Sequence, residues 1–145
     1  MKKSKWSYIF VVIQFVSIVY FLVFYHFFVI DITLVFKVLG ILLVIWSLLT
    51  MNKSVISAFP DPSEKTRIIQ EGPYRFIRHP MYLSLFLLFI PMLNQIRDIY
   101  GLTIMALFVT NQLFKLFYEE RLLKAKFIEY SQYMNNTWRL IPYIF

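Results

Sequence analysis

The chain has 145 residues, of which 59% are hydrophobic and 20% aromatic, and its formal net charge is +7. Soluble domains are less apolar and more highly charged, so this composition indicates a small, single-domain integral membrane protein. The chain has no cysteine and only three glycines. These counts exclude a disulfide framework, a thiolate metal site, a thiol nucleophile and a glycine-rich nucleotide loop. The excess of basic residues is explained by membrane orientation and anionic headgroups, and no nucleic-acid motif is present.

Four apolar runs predict an all-α protein with about four transmembrane helices, over residues 6–30, 32–51, 80–96 and 99–117. The first run is too long for a signal peptide and is predicted to be a retained helix. Lys37 lies just inside the second run, and its long side chain is predicted to reach the headgroups. Pro91 is predicted to kink the third helix or to end it early.

Two polar segments flank the last two helices. Residues 52–79 are interrupted by prolines, which predicts a loop with a short helix after Pro62 that Ser63 would cap. Beyond residue 117, the fourth helix is predicted to continue as a cytosolic amphipathic segment that ends near Asn135 and Asn136. That prediction rests on apolar residues at helical spacing, namely Leu116, Leu123, Phe127, Tyr130 and Met134.

The basic residues predict the topology. Most of them precede the first run, lie between residues 52 and 80, or follow the fourth run, whereas the opposite side has only Arg97, with Lys37 near it. The positive-inside rule therefore places both termini and the 52–80 loop in the cytoplasm. The high content of Lys, Ile, Phe and Asn and the low content of Gly and Ala are typical of proteins encoded by AT-rich bacterial genomes. The predicted location is therefore a bacterial cell membrane.

The segment GPYRFIRHPMY, residues 72–82, places three basic side chains against the start of an apolar run. Gly72 and Pro73 predict a turn, and Pro80 suits the first position of a helix. Helix N-termini attract anions, so Arg75 and Arg78 could form a carboxylate or phosphate site there. The alternative is that both arginines are anchors that contact lipid phosphates.

Glu119 and Glu120 lie where the fourth helix is predicted to leave the membrane. Lys115 lies four residues before Glu119 and Lys124 four residues after Glu120, a spacing that suits ion pairs within one helix. The alternative is that one or both carboxylates bind a cationic ligand at the membrane boundary. The spacing alone is compatible with both interpretations.

The 72–82 segment closely resembles the signature of the isoprenylcysteine carboxyl methyltransferase and phospholipid methyltransferase superfamily, integral membrane enzymes that use S-adenosyl-L-methionine. The tail resembles that superfamily in a glutamate pair, an F-x-E-Y-x-x-Y segment and an R-L-I-P segment. These are Glu119-Glu120, 127–133 and 139–142. The resemblance covers about residues 60–143. Ser84 and Ile128 stand where many relatives have glycine, and the membrane part is shorter than in the eukaryotic prenylcysteine enzymes.

The resemblance implies a cofactor region made of residues 70–82 and 115–142. It predicts that S-adenosyl-L-methionine is contacted by His79, Tyr82, Glu119, Glu120 and, as weaker candidates, Tyr74, Arg75 and Arg78. It assigns catalytic roles to Arg139 and Glu120 and predicts no metal. The predicted partners are the bilayer and a lipophilic acceptor, methylated at a carboxylate or hydroxyl of an isoprenoid or other lipid-like molecule. Arg139 could orient a carboxylate through two hydrogen bonds, whereas a hydroxyl would need Glu120 or His79 as a base.

Two other functions stay open on the sequence. A membrane sterol-type reductase would share a similar helical core but would bind NADPH. A non-enzymatic transporter or scaffold would bind neither cofactor. The 72–82 segment and the tail favour methyl transfer, because neither alternative explains both.

Overall fold

The computed structural model describes residues 4–51, 57–64 and 66–145. In these ranges the regular structure is helical, as predicted. The helices are α1 (Lys5–Phe24), α2 (Leu34–Thr50), α3 (Pro80–Phe89), α4 (Ile99–Lys126) and α5 (Tyr130–Asn135), with short 3-10 helices at Gly72–Arg75 and Ile90–Asn94. Pro91 lies in the second 3-10 helix, which confirms that the α-helical part of the third run ends early.

Helices α1 to α4 form a bundle in which α1 packs against α4 and α2 packs against α3. Its core is rich in aromatic residues and includes Phe21, Phe89, Met92 and Phe108. Many apolar side chains on the outside of α1 and α2 are exposed, as expected for helices that face lipid. By length and composition, α1 and α4 could each cross a membrane, whereas α2 and the 80–94 segment are shorter apolar helices.

Helix α1 ends at Phe24, six residues before the predicted end of the first run. The chain turns there because the next side chains bind the connection between the third and fourth runs. The Tyr25 hydroxyl donates to Asp98 at 2.7 Å, and the amide of Gln95 exchanges two hydrogen bonds with the backbone of His26. The prediction for Lys37 was also wrong. This side chain is fully buried and donates to the Phe27 carbonyl at 2.6 Å.

The predicted helix after Pro62 is not formed in the described residues 57–64 and 66–71. The segment is held by contacts with residues outside the loop, and not by the hydrogen bonds of a local helix. Asp61 accepts a hydrogen bond from the Ser4 amide at 3.2 Å, and the Lys126 ammonium donates to the Ser63 carbonyl. Four of the lysines used for the topology prediction lie outside the described residues, namely Lys2, Lys3, Lys53 and Lys65.

The fourth helix continues past residue 117 as predicted, but it ends at Lys126 and not near Asn135. Phe127 takes an extended conformation, and a separate helix, α5, starts at Tyr130. The break allows Tyr130 and Tyr133, exposed by only 2% and 6%, to become buried. These tertiary contacts outweigh the helical periodicity that predicted one continuous segment.

Candidate functional site

The tail returns to the 72–82 segment and pairs with its backbone. The amide of Trp138 donates to the Phe76 carbonyl at 3.1 Å, and the amide of Arg78 donates to the Trp138 carbonyl at 2.7 Å. Gly72 permits the preceding turn because its φ is +53°, which other residues rarely adopt. We call residues 72–79, 119–120 and 127–140 the junction, since three separate parts of the chain meet there.

Glu120 lies at the centre of the junction and is only 5% exposed. One carboxylate oxygen accepts from the Arg78 Nε at 2.8 Å and the other from the Arg139 Nε at 2.9 Å. Arg78 also donates to the backbone carbonyls of Met134 and Thr137. Glu120 and Arg78 thus form a buried ion pair that joins α4 to both other parts of the junction.

The contacts of Glu119 also run between helices. Its carboxylate accepts a hydrogen bond from the Tyr82 hydroxyl at 2.6 Å. Lys115 donates to the Gln14 side chain on α1 at 2.6 Å. Neither of the ion pairs that the spacing within α4 allowed, to Lys115 and to Lys124, is among the salt bridges of the described residues.

A cavity of about 440 Å³ lies between the bundle, the 57–69 loop and the junction. Its volume is in the range typical of small-molecule sites. Five of the predicted site residues line it, namely Tyr74, Arg78, His79, Tyr82 and Glu119. Glu120 and Arg139 are not among the lining residues, and Arg75 lines a different, polar cleft with Glu129 and Asn136.

Part of the cavity lining suits a cationic organic group, and arginine and lysine side chains line the cavity as well. The His79 Nε2 is buried and makes no hydrogen bond among the described residues, although it lies 3.4 Å from Glu120. Glu119 and Asp61 line the same cavity, as do Tyr74 and Tyr82. Carboxylates and aromatic faces both attract cations. S-adenosyl-L-methionine, with its charged sulfur and amino group, fits this set of side chains.

Two tyrosines of the tail complete the wall of the cavity and had been assigned no site role from the sequence. Burial, together with the nearby Glu120 and Glu119 carboxylates, raises the pKa of Tyr130, and burial raises the pKa of Tyr133. Both hydroxyls are therefore protonated hydrogen-bond donors at neutral pH. The F-x-E-Y-x-x-Y segment contains both residues, so the resemblance in the sequence could have identified them as site residues.

Two more lining residues, Gln14 and Lys115, were missed. Gln14 interrupts an otherwise apolar run, and a polar residue inside a predicted transmembrane segment often marks a site. Lys115 had been considered only as an ion-pair partner on its own helix. Its contact with Gln14 joins residues that are 101 positions apart in the sequence.

The comparisons with known proteins agree with the resemblance seen in the sequence. A model of the phospholipid methyltransferase family matches residues 29–129. The matched range includes the 72–82 segment and both Glu119 and Glu120. No curated protein and no solved structure matched the chain. Because the family model matches more than half of its length, this chain belongs to the phospholipid methyltransferase family, a family of membrane methyltransferases.

Proposed function

We propose that this protein is an integral membrane methyltransferase that uses S-adenosyl-L-methionine, in the manner of the isoprenylcysteine carboxyl methyltransferases. Its acceptor is a lipophilic molecule, an isoprenoid or similar lipid, methylated at a carboxylate or a hydroxyl. The observation that carries the proposal is the cavity between the bundle and the junction. There Glu119, His79 and a group of tyrosines surround a space suited to a cationic cofactor.

The proposed membrane arrangement has four crossings, made by α1, α2, the 80–94 segment and the first part of α4. The exposed apolar side chains on these elements support it. With both termini in the cytoplasm of a bacterial cell, the junction and α5 lie at the cytosolic boundary. The water-soluble cofactor then enters from the cytoplasm, and the acceptor enters from the bilayer. The whole chain works as one domain in this arrangement.

Glu119, His79, Tyr82 and Tyr74 are the residues that would hold the cofactor. When bound, S-adenosyl-L-methionine supplies an electrophilic methyl group on a positively charged sulfur. The Glu119 carboxylate attracts the cation, and its hydrogen bond with Tyr82 fixes its position. Arg78, neutralised by Glu120, holds the tail against α3 and so keeps this wall in place.

Arg139 and Glu120 are proposed to act next to the cavity. Glu120 engages only the Nε of Arg139, so the two terminal nitrogens of the guanidinium remain to orient an acceptor carboxylate where it approaches the cavity, which Arg139 itself does not line. The guanidinium also stacks over Phe117 and Phe145, at 5.4 and 5.2 Å from the ring centres. For a hydroxyl acceptor, His79 is the better base, because both oxygens of Glu120 already accept hydrogen bonds from arginines.

Cofactor binding tests this proposal. The protein in lipid nanodiscs should bind S-adenosylhomocysteine in a calorimetric titration and should not bind NADPH. Glu119→Gln should weaken S-adenosylhomocysteine binding by about tenfold, which corresponds to about 1.4 kcal/mol. Glu64→Gln is the matched control, because Glu64 is exposed and is not among the residues that line this cavity.

Two outcomes would contradict the proposal. Binding of NADPH alone would favour a reductase, and binding of neither cofactor would favour a transporter or scaffold. If S-adenosylhomocysteine binds, incubation of membranes with methyl-labelled cofactor identifies the acceptor as the lipid component that gains the label.

A further inference from the structure

Lys115 is a buried cation that lines the cavity. It is 4% exposed, its ammonium donates to the Gln14 side chain at 2.6 Å, and it lies 5.5 Å from the centre of the Tyr82 ring. An ammonium has three donors, and the described residues use only one of them. A buried charge that is incompletely satisfied is costly, and inside a membrane protein it commonly marks a functional site.

Lys115 and Glu119 give the cavity opposite charges at two depths. Both residues line it from α4, one turn apart, so they are separated by ~6 Å along the helix axis. Since α4 runs towards the junction, Lys115 is the deeper of the two. Apolar side chains also line the cavity, among them Phe15, Val44 and Leu85. A ligand that spans the cavity therefore meets a carboxylate near the junction and an ammonium one helical turn further from it.

Resting on the proposed function, we propose that Lys115, held in place by Gln14, binds the anionic headgroup oxygen of the acceptor. The cavity thereby selects lipophilic acceptors with an ionised carboxylate over those with a neutral hydroxyl. The ammonium supplies the missing counter-charge, and Phe15, Val44 and Leu85 accommodate the chain of the acceptor. Phe15 is half exposed on the outside of α1, so the cavity reaches the surface from which a lipid would enter.

This charge arrangement also suits the chemistry. The acceptor oxygen forms a bond to the methyl carbon, while the bond from that carbon to sulfur breaks and its electron pair stays on sulfur. The products are a neutral ester and a neutral thioether, and no proton is transferred. Because the acceptor loses its negative charge, its attraction to Lys115 ends with the reaction, which favours release of the product.

Three probes with one hydrocarbon chain and different headgroups test the inference: farnesoic acid, farnesol and farnesylamine. Their affinities are measured for the full chain in nanodiscs, with and without saturating S-adenosylhomocysteine. With S-adenosylhomocysteine bound, farnesoic acid should bind about tenfold more tightly than the other two. Without it, farnesoic acid should bind about tenfold more tightly than farnesol, whereas the Glu119 carboxylate is free to attract the ammonium of farnesylamine. Lys115→Met should weaken farnesoic acid binding by about tenfold, the size expected for loss of a hydrogen bond between charged groups. The affinities of the Lys115→Met variant for farnesol and for S-adenosylhomocysteine should stay within about twofold of the wild-type values.

Matched variants separate headgroup binding from a merely structural tie between α1 and α4. Lys37→Met removes a second buried lysine of the described residues, one that does not line the cavity, and should leave the preference for the acid unchanged. Lys115→Arg should retain much of that preference. Lys115→Gln serves as a second neutral variant if Lys115→Met fails to fold.

Two results would overturn the role of Lys115. One is equal weakening of acid and alcohol binding by the neutral variants, and the other is a wild-type protein that does not prefer the acid. Failure of the wild type to bind S-adenosylhomocysteine would instead contradict the proposed function. The titrations without S-adenosylhomocysteine would still report on Lys115 in that case.

Discussion

The bundle and the junction bury their side chains in different ways. In the bundle, α2 and α3 approach so closely at Gly40 that an added Cβ would lie 3.1 Å from the Ser84 carbonyl oxygen, and the core consists of packed aromatic and aliphatic side chains. In the junction, three segments are joined by one buried carboxylate and the arginines around it. Apolar packing tolerates small changes in shape, whereas a buried charge depends on its specific partner. We therefore expect single substitutions to affect the junction most.

Removal of the central charge should have the largest effect. Glu120→Gln leaves the Arg78 guanidinium buried without a counter-charge, and loss of one partner from a buried ion pair typically costs about 3 to 5 kcal/mol. The unfolding free energy of the protein in detergent should fall by about 3 kcal/mol. Glu64→Gln, on an exposed loop position, should change it by less than about 0.5 kcal/mol. Equal stability of the two variants would show that the ion pair does not hold the junction together.

The connection between the bundle and the junction should be the next most sensitive position. At Gly72, an added Cβ would lie 2.3 Å from the Thr50 Oγ1, and the φ of +53° disfavours any side chain. Gly72→Ala should therefore lower the unfolding free energy by about 2 kcal/mol, since the left-handed conformation alone costs about 1 to 2 kcal/mol.

A double variant separates the collision with Thr50 from the backbone strain at Gly72. Thr50→Ala removes the two nearest colliding atoms, Oγ1 and Cγ2, but not the backbone strain. Gly72→Ala should then cost less in the Thr50→Ala background than in the wild type. An identical cost in both backgrounds would assign the whole effect to the backbone conformation.

Substitution of Arg139 tests whether this side chain has a chemical role or only a structural one. Arg139→Lys keeps a positive charge near Glu120 but loses the planar, two-pronged geometry needed to orient a carboxylate. Turnover should fall by about tenfold, or about 1.4 kcal/mol of transition-state stabilisation, while S-adenosylhomocysteine affinity stays within about twofold. Unchanged turnover would remove Arg139 from the reacting centre, and parallel loss of affinity would indicate a collapsed cavity wall.

The sequence predicted local features of the fold better than its long-range contacts. Pro80 correctly marked the start of α3, because a proline at the first helical position is a local property. The ends of α1 and α4 were misplaced, since Tyr25 and Tyr130 leave the helical path to make contacts distant in sequence. At Glu120, the spacing within the helix suited Lys124 as well as any distant arginine, so only the fold could identify the partner.

The smallest expected effect concerns a single hydrogen bond in the junction. The buried Tyr133 hydroxyl donates to the Tyr74 carbonyl at 2.6 Å, so Tyr133→Phe should cost about 1 kcal/mol at neutral pH. Burial raises the pKa of Tyr133, so the folded protein keeps the proton after the unfolded chain has lost it. The stability from this group is therefore complete below about pH 10 and declines as the pH rises further. Unfolding measured from pH 7 to 11 should show a smaller alkaline decline in Tyr133→Phe than in the wild type. In contrast, Tyr100→Phe, at a position 75% exposed, should follow the wild-type curve.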